Sequence, residues 1–322
     1  MRKHVVAGAL AAAVAGSGAL ALFTGVAQAA PVASHQAAAT TYTFTTLDDQ
    51  ADPTFNQLLG INSHNVISGY FGSGMPGHPN KGYLLSPPYG QANYTNENFP
   101  GSVQTQVTGL NNRGVTVGFW SNTNMGVGMD ANFGWVDVNG QFRNADFPTG
   151  DSASPVTDQL LGVNDNDVAV GFWVDGQGNN HGYKYNINTG RFSSVTDPQD
   201  QGASLQATAI NDRGHIAGNI GSDGFLLSHG HLAELAVPGA SATMALGVNN
   251  FDEVVGTYTV GSGSSAQMHG FTWQPGRGFT TFDDPHGMGT TTVNGVNDFG
   301  QLVGFYVDAN GNTDGFLATP QR

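Results

Sequence analysis

The 322-residue chain has no cysteine, and its 10 lysines and arginines are outnumbered by 24 aspartates and glutamates. Without cysteine it is neither a disulfide-stapled miniprotein, nor a thiol enzyme, nor a cysteine zinc protein, and a formal net charge of −14 argues against a basic nucleic-acid binder. Beyond Val26 there is no apolar run of membrane-spanning length and no helical periodicity. Catalytic signatures are missing as well: no G-x-S-x-G elbow, no H-E-x-x-H pair, no Walker loop and no dinucleotide fingerprint followed by an acid. Gly261-Ser262-Gly263-Ser264-Ser265 is a flexible loop with no lysine after it to hold a phosphate. What is plentiful is glycine, 47 residues, alongside a 39% hydrophobic share that suffices for a sizeable core.

Residues 1–29 read as a secretory signal peptide. Arg2, Lys3 and His4 form a positive start, Val5 to Val26 is apolar and small, and Ala27-Gln28-Ala29 is an A-x-A cleavage site. With no twin arginine and no cysteine for lipid attachment, the expected product is secreted, extracellular and without a membrane span. Residues 30–41, rich in Ala and Thr and without periodicity, read as a flexible leader.

The remainder, 42–320, is a repeat. Gly60-Ile61-Asn62, Gly109-Leu110-Asn111, Gly162-Val163-Asn164, Ala209-Ile210-Asn211, Gly247-Val248-Asn249 and Gly295-Val296-Asn297 recur, each followed seven residues after the Asn by Gly69, Gly118, Gly171, Gly218, Gly256 or Gly304. A Gly-aromatic pair comes next in every copy: Gly82-Tyr83, Gly134-Trp135, Gly182-Tyr183, Gly224-Phe225, Gly270-Phe271 and Gly315-Phe316. Short runs such as Phe142 to Pro148 and Phe279 to Pro285 complete the unit. All four pieces are short, β-branched or aromatic, and bounded by turn residues, so they predict strands a, b, c and d. Between a and b, turns such as Asn111-Asn112-Arg113-Gly114 place Asn where its side chain bonds the backbone ahead, and Gly where positive φ is needed.

The sixth copy ends after strand c, whereas Phe44-Thr45-Thr46-Leu47-Asp48-Asp49 nearly repeats Phe279-Thr280-Thr281-Phe282-Asp283-Asp284. An array that takes its last strand from its first residues closes into a ring and leaves no edge. The expectation is an all-β, six-bladed β-propeller of four-stranded blades, closed by an N-terminal strand and monomeric. The fourth copy is the shortest, with Ala209 in place of Gly and a clipped loop from Ile220 to Asp223.

The combined pattern, with His181-Gly182-Tyr183 and His269-Gly270-Phe271 closest to its eponymous triplet, resembles the repeats of the secreted bacterial HAF extracellular repeat family. Other copies place Asp223, Asp314, Lys81 or Phe133 before the glycine. The resemblance implies secretion and a repeat architecture but supplies no reaction, cofactor or active-site residues.

In a propeller the d–a and b–c connections share one face. That face would carry 16 of the 24 acids with Lys81 as its only base, a field that attracts cations and repels nucleic acid. Acids before Pro or Gly also make good turns, which is the plainer reason for them. Phe71, Trp120, Trp173, Tyr258 and Tyr306 lead into these loops and could stack on a sugar or amine, although packing between blades is the commoner fate. His78, His181, His269 and His286 lie in or beside the same loops. Asp308, Asn310, Asn312 and Asp314 alternate oxygen ligands as calcium loops do, but the glycine is at the fourth position and no glutamate follows at the twelfth; otherwise no cofactor is expected. The leading reading is a binding or interaction module that takes a glycan, a cationic ligand or a protein partner through its acidic loop face. Rival readings are a secreted hydrolase or lyase using Asp and His at the channel mouth, with paired acids such as Asp48/Asp49 and Asp283/Asp284 as candidates, and a scaffold without a small ligand.

Overall fold

The computed structural model describes residues 40–321; the expected signal peptide and most of the expected leader lie outside them. Six four-stranded antiparallel sheets form the blades of a closed β-propeller. The innermost strands, a, are Asn56–Ile61, Gln104–Leu110, Asp158–Val163, Leu205–Ile210, Ala242–Val248 and Thr292–Val296. Strands b are Ile67–Phe71, Thr116–Ser121, Val168–Val174, Ile216–Ile220, Val254–Val260 and Leu302–Val307. Strands c are Lys81–Leu85, Phe133–Val138, Asn180–Asn186, Asp223–Ser228, Gln267–Gln274 and Thr313–Pro320. The outer strands, d, are Tyr94–Asn96, Gln141–Asn144, Arg191–Ser194, His231–Leu235 and Gly278–Phe282 in the first five blades. Among the described residues no helix is long and apolar enough to cross a membrane.

The sixth blade takes its outer strand from the front of the chain, as expected. Tyr42–Thr46 pairs antiparallel with strand c, from Tyr42 opposite Pro320 to Thr46 opposite Phe316. Leu47 extends the ladder by donating its N–H to the Gly315 carbonyl at 2.8 Å. Tyr42 and Phe44 both reach across to Phe282 of blade 5, with ring centroids 5.1 and 5.4 Å apart. Closure thus joins backbone ladder and core at one seam.

Each repeated residue has a packing reason. The fixed glycine of strand b is the direct cross-strand partner of the aromatic in strand c, as in Gly118 opposite Trp135 and Gly256 opposite Phe271. A Cβ at Gly118 would meet Trp135 at 3.0 Å and collide with the Gln106 carbonyl of strand a. With glycine there, the six aromatics lie flat inside the blades, and none exposes more than the 2% of Tyr83. Every strand a carries a β-bulge just before the first residue of its triplet, a glycine in five blades and Ala209 in the fourth, for instance between Leu160 and Gly162. That glycine approaches the next blade closely: a Cβ on Gly162 would lie 2.9 Å from Ala209 Cα.

The triplet asparagine has two roles. Its Oδ1 accepts two backbone N–H bonds within its own turn, as from Asn166 and Val168 to Asn164, each at 3.1 Å. Its Nδ2 donates to the carbonyl of the corresponding asparagine one blade on. These bonds run Asn62 to Asn111, Asn111 to Asn164, Asn164 to Asn211, Asn211 to Asn249, Asn249 to Asn297 and Asn297 back to Asn62, all between 2.9 and 3.2 Å. A second series lies beside it: the N–H of the next residue donates to the side chain at that position in the following blade, as Asn112 does to Asp165 at 2.7 Å and Asp165 to Asp212 at 2.7 Å. All six asparagines are buried.

Replacing Asn164 by Ala should destabilise the chain by about 2–4 kcal/mol, because it removes three bonds and leaves buried backbone groups unmatched. Asn164→Asp keeps the turn acceptor but sets a carboxylate against the Asn211 carbonyl, so it too should lower the denaturation midpoint; a midpoint equal to wild type would show that the asparagine serves only its turn. Deleting Thr43 to Asp49 should depress the melting temperature sharply in a calorimetric scan.

Candidate functional site

Most of the sequence-predicted site residues stay in their own blades. Trp120 stacks on Phe99 of the preceding connection at 4.6 Å and donates its indole N–H to Asn144 at 2.9 Å. Trp173 is stacked on His181 at 4.3 Å, and the His181 Nε2 meets Asp175 at 2.9 Å. Tyr258, His269 and Asp283 repeat that arrangement in blade 5, with rings 5.3 Å apart and the His269 Nδ1 2.8 Å from Asp283. The histidine of the triplet is therefore the cross-strand partner of the strand-b aromatic. Phe71 packs against the hydrophobic cluster around Leu58 and Tyr83. His78 lies 3.4 Å from Asp52 and is well exposed. Among the described residues no three of these histidines and acids converge as a metal shell.

The acids of this face are mostly turn-formers. Asp52 accepts the Thr54 N–H, Asp130 those of Met125 and Gly126, Asp151 that of Gly176, and Asp197 that of Gln199. The loop of Asp308 to Asp314 is built the same way. Asp308 Oδ1 accepts the N–H groups of Asn310 and Asn312, both at 2.8 Å, and Oδ2 receives their side-chain amides at 3.1 and 3.2 Å. Burial works against the ionised form, yet these bonds outweigh it and hold the Asp308 pKa below its usual value. Asn310 and Asn312 thus turn amide N–H groups, rather than oxygens, toward Asp308.

One group does come together, where the N-terminal strand closes blade 6. Tyr306, His286, Asp308 and Asp314 gather there with Asp48 and Asp284 of the paired acids, all six singled out in the sequence. Tyr306 is opposite Asp314 across the strands and shares a 3.0 Å hydrogen bond with Thr46 of the closing strand. His286 stacks on Tyr306 at 6.0 Å and its Nδ1 is 3.0 Å from Asp284 Oδ1. The loop carrying them can lie on Tyr306 because position 287 is glycine, where any Cβ would clash with that ring. Asp284 is 1% exposed, and its Oδ2 is buried without a hydrogen-bond partner.

The electrostatics of the group are strained. Burial pushes the Asp48 carboxyl up to about 7; the N–H of Gly315, donated at 2.9 Å, works against the rise, and the neighbouring charges of Asp314 and Asp308 add to it. Asp314 is raised by burial and then by Asp308 and Asp284, with Tyr306 and His286 opposing. Burial, and then the charges of Asp314, Asp284 and Asp48, push the Tyr306 hydroxyl up to about 12. The Arg–Asp ion pairs of the described residues, Arg113–Asp167 and Arg213–Asp252, both lie on the opposite face. Sequence reasoning could name the acids singly, but their convergence depends on ring closure bringing Asp48 to residues more than 200 positions away.

At the opposite face the axial channel opens into a shallow, solvent-open depression lined by the two asparagine-turn series, including Asp165, Asp212 and Asp298. Beside it Phe251 and Phe299 are 64% and 56% exposed. They occupy the third turn position, where blades 2 and 4 carry Arg113 and Arg213.

Burial also raises Asp158 to about 7, against hydrogen bonds from Tyr183 and Phe147, and Asp146 to about 6. A carboxyl whose folded pKa lies above its unfolded value stabilises the fold fully below about pH 4 and loses that contribution as pH climbs toward the folded value. The melting temperature should therefore fall between pH 5 and pH 7.5, and Asp158→Asn should flatten that slope.

No family model and no curated protein matches this chain. Solved structures that resemble it share the propeller fold at low identity. A streptogramin B lyase is 10% identical, with 86% of this chain and 97% of that one covered at a TM-score of 0.47. A catalytically inactive virginiamycin B lyase from Staphylococcus aureus is 9% identical, with 86% and 99% covered at 0.46. The Aleuria aurantia lectin is 10% identical, with 82% and 91% covered at 0.44. The chain has the β-propeller fold.

Proposed function

We propose that the chain is a secreted binding module of the HAF-repeat type that captures a cationic ligand, such as a polyamine or a lysine-rich peptide, on its acidic loop face at the closing blade. The observation that carries this reading is the group of four carboxylates around Tyr306, which has no lysine or arginine paired with it among the described residues and holds a buried oxygen of Asp284 without a partner. Desolvated carboxylates that repel one another are relieved by an incoming cation, which also deprotonates those held partly neutral. The exposed His286 ring, which lies over the buried Tyr306, provides a face on which an ammonium group can rest. Affinity should accordingly rise with pH through 7 and fall with salt.

The same carboxyl near neutrality, beside a tyrosine and a histidine, favours a second reading as a hydrolase or lyase, since a group with that pKa can give and take a proton. Turnover of an extracellular glycan that is lost in Tyr306→Phe would mark that reading.

Calorimetric titration with spermidine and with oligolysine at pH 8 in low salt should show binding that weakens at pH 5.5 and in 0.5 M salt. Asp314→Asn should weaken it about tenfold, whereas Asp151→Asn, in a distant exposed loop, should not. Absence of binding by both cations to the wild type, or equal affinity in Asp314→Asn, would sink the proposal.

A further inference from the structure

Blade 4 carries a histidine pair on the face opposite the acidic loops. His215 occupies the turn position held by Val66, Val115, Val168, Glu253 and Gln301 in the other blades, and it is 4% exposed. Its Nδ1 lies 2.7 Å from Asp252 Oδ1 of blade 5, a carboxylate anchored in turn by Asn211 at 2.9 Å and Arg213 at 3.2 Å. A carboxylate only accepts, so it fixes the proton on Nδ1 and leaves the lone pair on Nε2. That Nε2 is buried and has no hydrogen-bond partner. The group facing the ring is another imidazole: His229, at the tip of the c–d turn, lies with its centroid 4.7 Å away and its plane inclined at 77°. His229 is exposed and held at φ +50°.

We propose that His215 and His229 form a binding site for a divalent transition metal, with Asp252 orienting the buried ring. Two imidazoles that bind one metal at about 2.0–2.1 Å and a near-tetrahedral angle stand roughly 5 Å apart between centroids, close to the separation found. The carboxylate–imidazole pairing is the one that prepares a histidine for a metal, and a ligand set of nitrogens without sulfur suits Zn2+, Ni2+ and Cu2+. No third histidine or acid closes the shell among the described residues, so water or donors from an outside molecule complete it. A bound ion would bridge the a–b and c–d turns of the shortest blade.

Zn2+ titration of the full chain at pH 7.5, followed by calorimetry and by the imidazole C–H resonances, should show one equivalent bound and two histidines perturbed together. His229→Asn keeps a residue that tolerates positive φ, and His215→Val installs the side chain of blades 1 to 3. Both should melt near the wild-type temperature without metal and lose at least tenfold in affinity, while His78→Asn on the other face should bind as the wild type does. Wild-type chain that takes up no Zn2+, or His229→Asn that binds it equally well, would overturn the assignment.

Discussion

Six asparagine side chains, each donating its amide to the backbone carbonyl of the next around the axis, are what the rest of this molecule depends on. Each asparagine uses its oxygen to shape its own turn and its nitrogen to hold the next blade, and the last of these bonds, from Asn297 to the Asn62 carbonyl, returns to the first. Local turn chemistry and global closure are thereby the same interaction. A blade rotated out of place would strand a buried donor, an acceptor and the turn that shares the side chain. The outer seam at Tyr42–Thr46 performs the complementary task at the rim, where it removes the edge that strand c of blade 6 would otherwise expose.

The repeat made the fold legible because every repeated residue meets a spatial constraint that admits few substitutes. Gly118 has to lie under Trp135, Gly162 has to approach Ala209, and Asn164 has to serve two blades, so the spacing of these residues encodes blade number and strand order. The borrowed strand was legible from one duplicated hexapeptide. Asparagine chemistry was half legible: the turn acceptor follows from local sequence, but the hydrogen bond from the side-chain amide to the neighbouring blade spans between 38 and 53 residues in five blades and 235 at the closure, and follows only from the ring.

The site was less legible, for the same reason in reverse. Side chains such as Trp173, His181 and Asp175 satisfy each other within one blade, and nothing in their spacing distinguishes that from convergence on an axis. Asp48, Asp284 and Asp314 meet because three separate connections arrive at the closing blade, a property of packing and not of pattern. His215 does carry a sequence signal once the copies are superposed, as an imidazole where three other turns hold valine. Charge is likewise unevenly spent: most acids on the loop face are committed to backbone N–H groups, and the closing blade brings four together whose charges oppose one another.

The second series of axial bonds bears on chemical ageing. Asparagine deteriorates when the backbone nitrogen that follows it attacks the side-chain carbon and expels ammonia through a cyclic imide. In Asn62-Ser63, Asn111-Asn112, Asn164-Asp165, Asn211-Asp212 and Asn249-Asn250 that nitrogen is already donating its hydrogen to the adjoining blade. In these five turns the would-be nucleophile is held by that hydrogen bond, and the amides that join blades 1 to 5 to the blade that follows are shielded from conversion to carboxylates. A chain with no disulfides to lock it thus has durability designed into the very residues whose decay would open the ring.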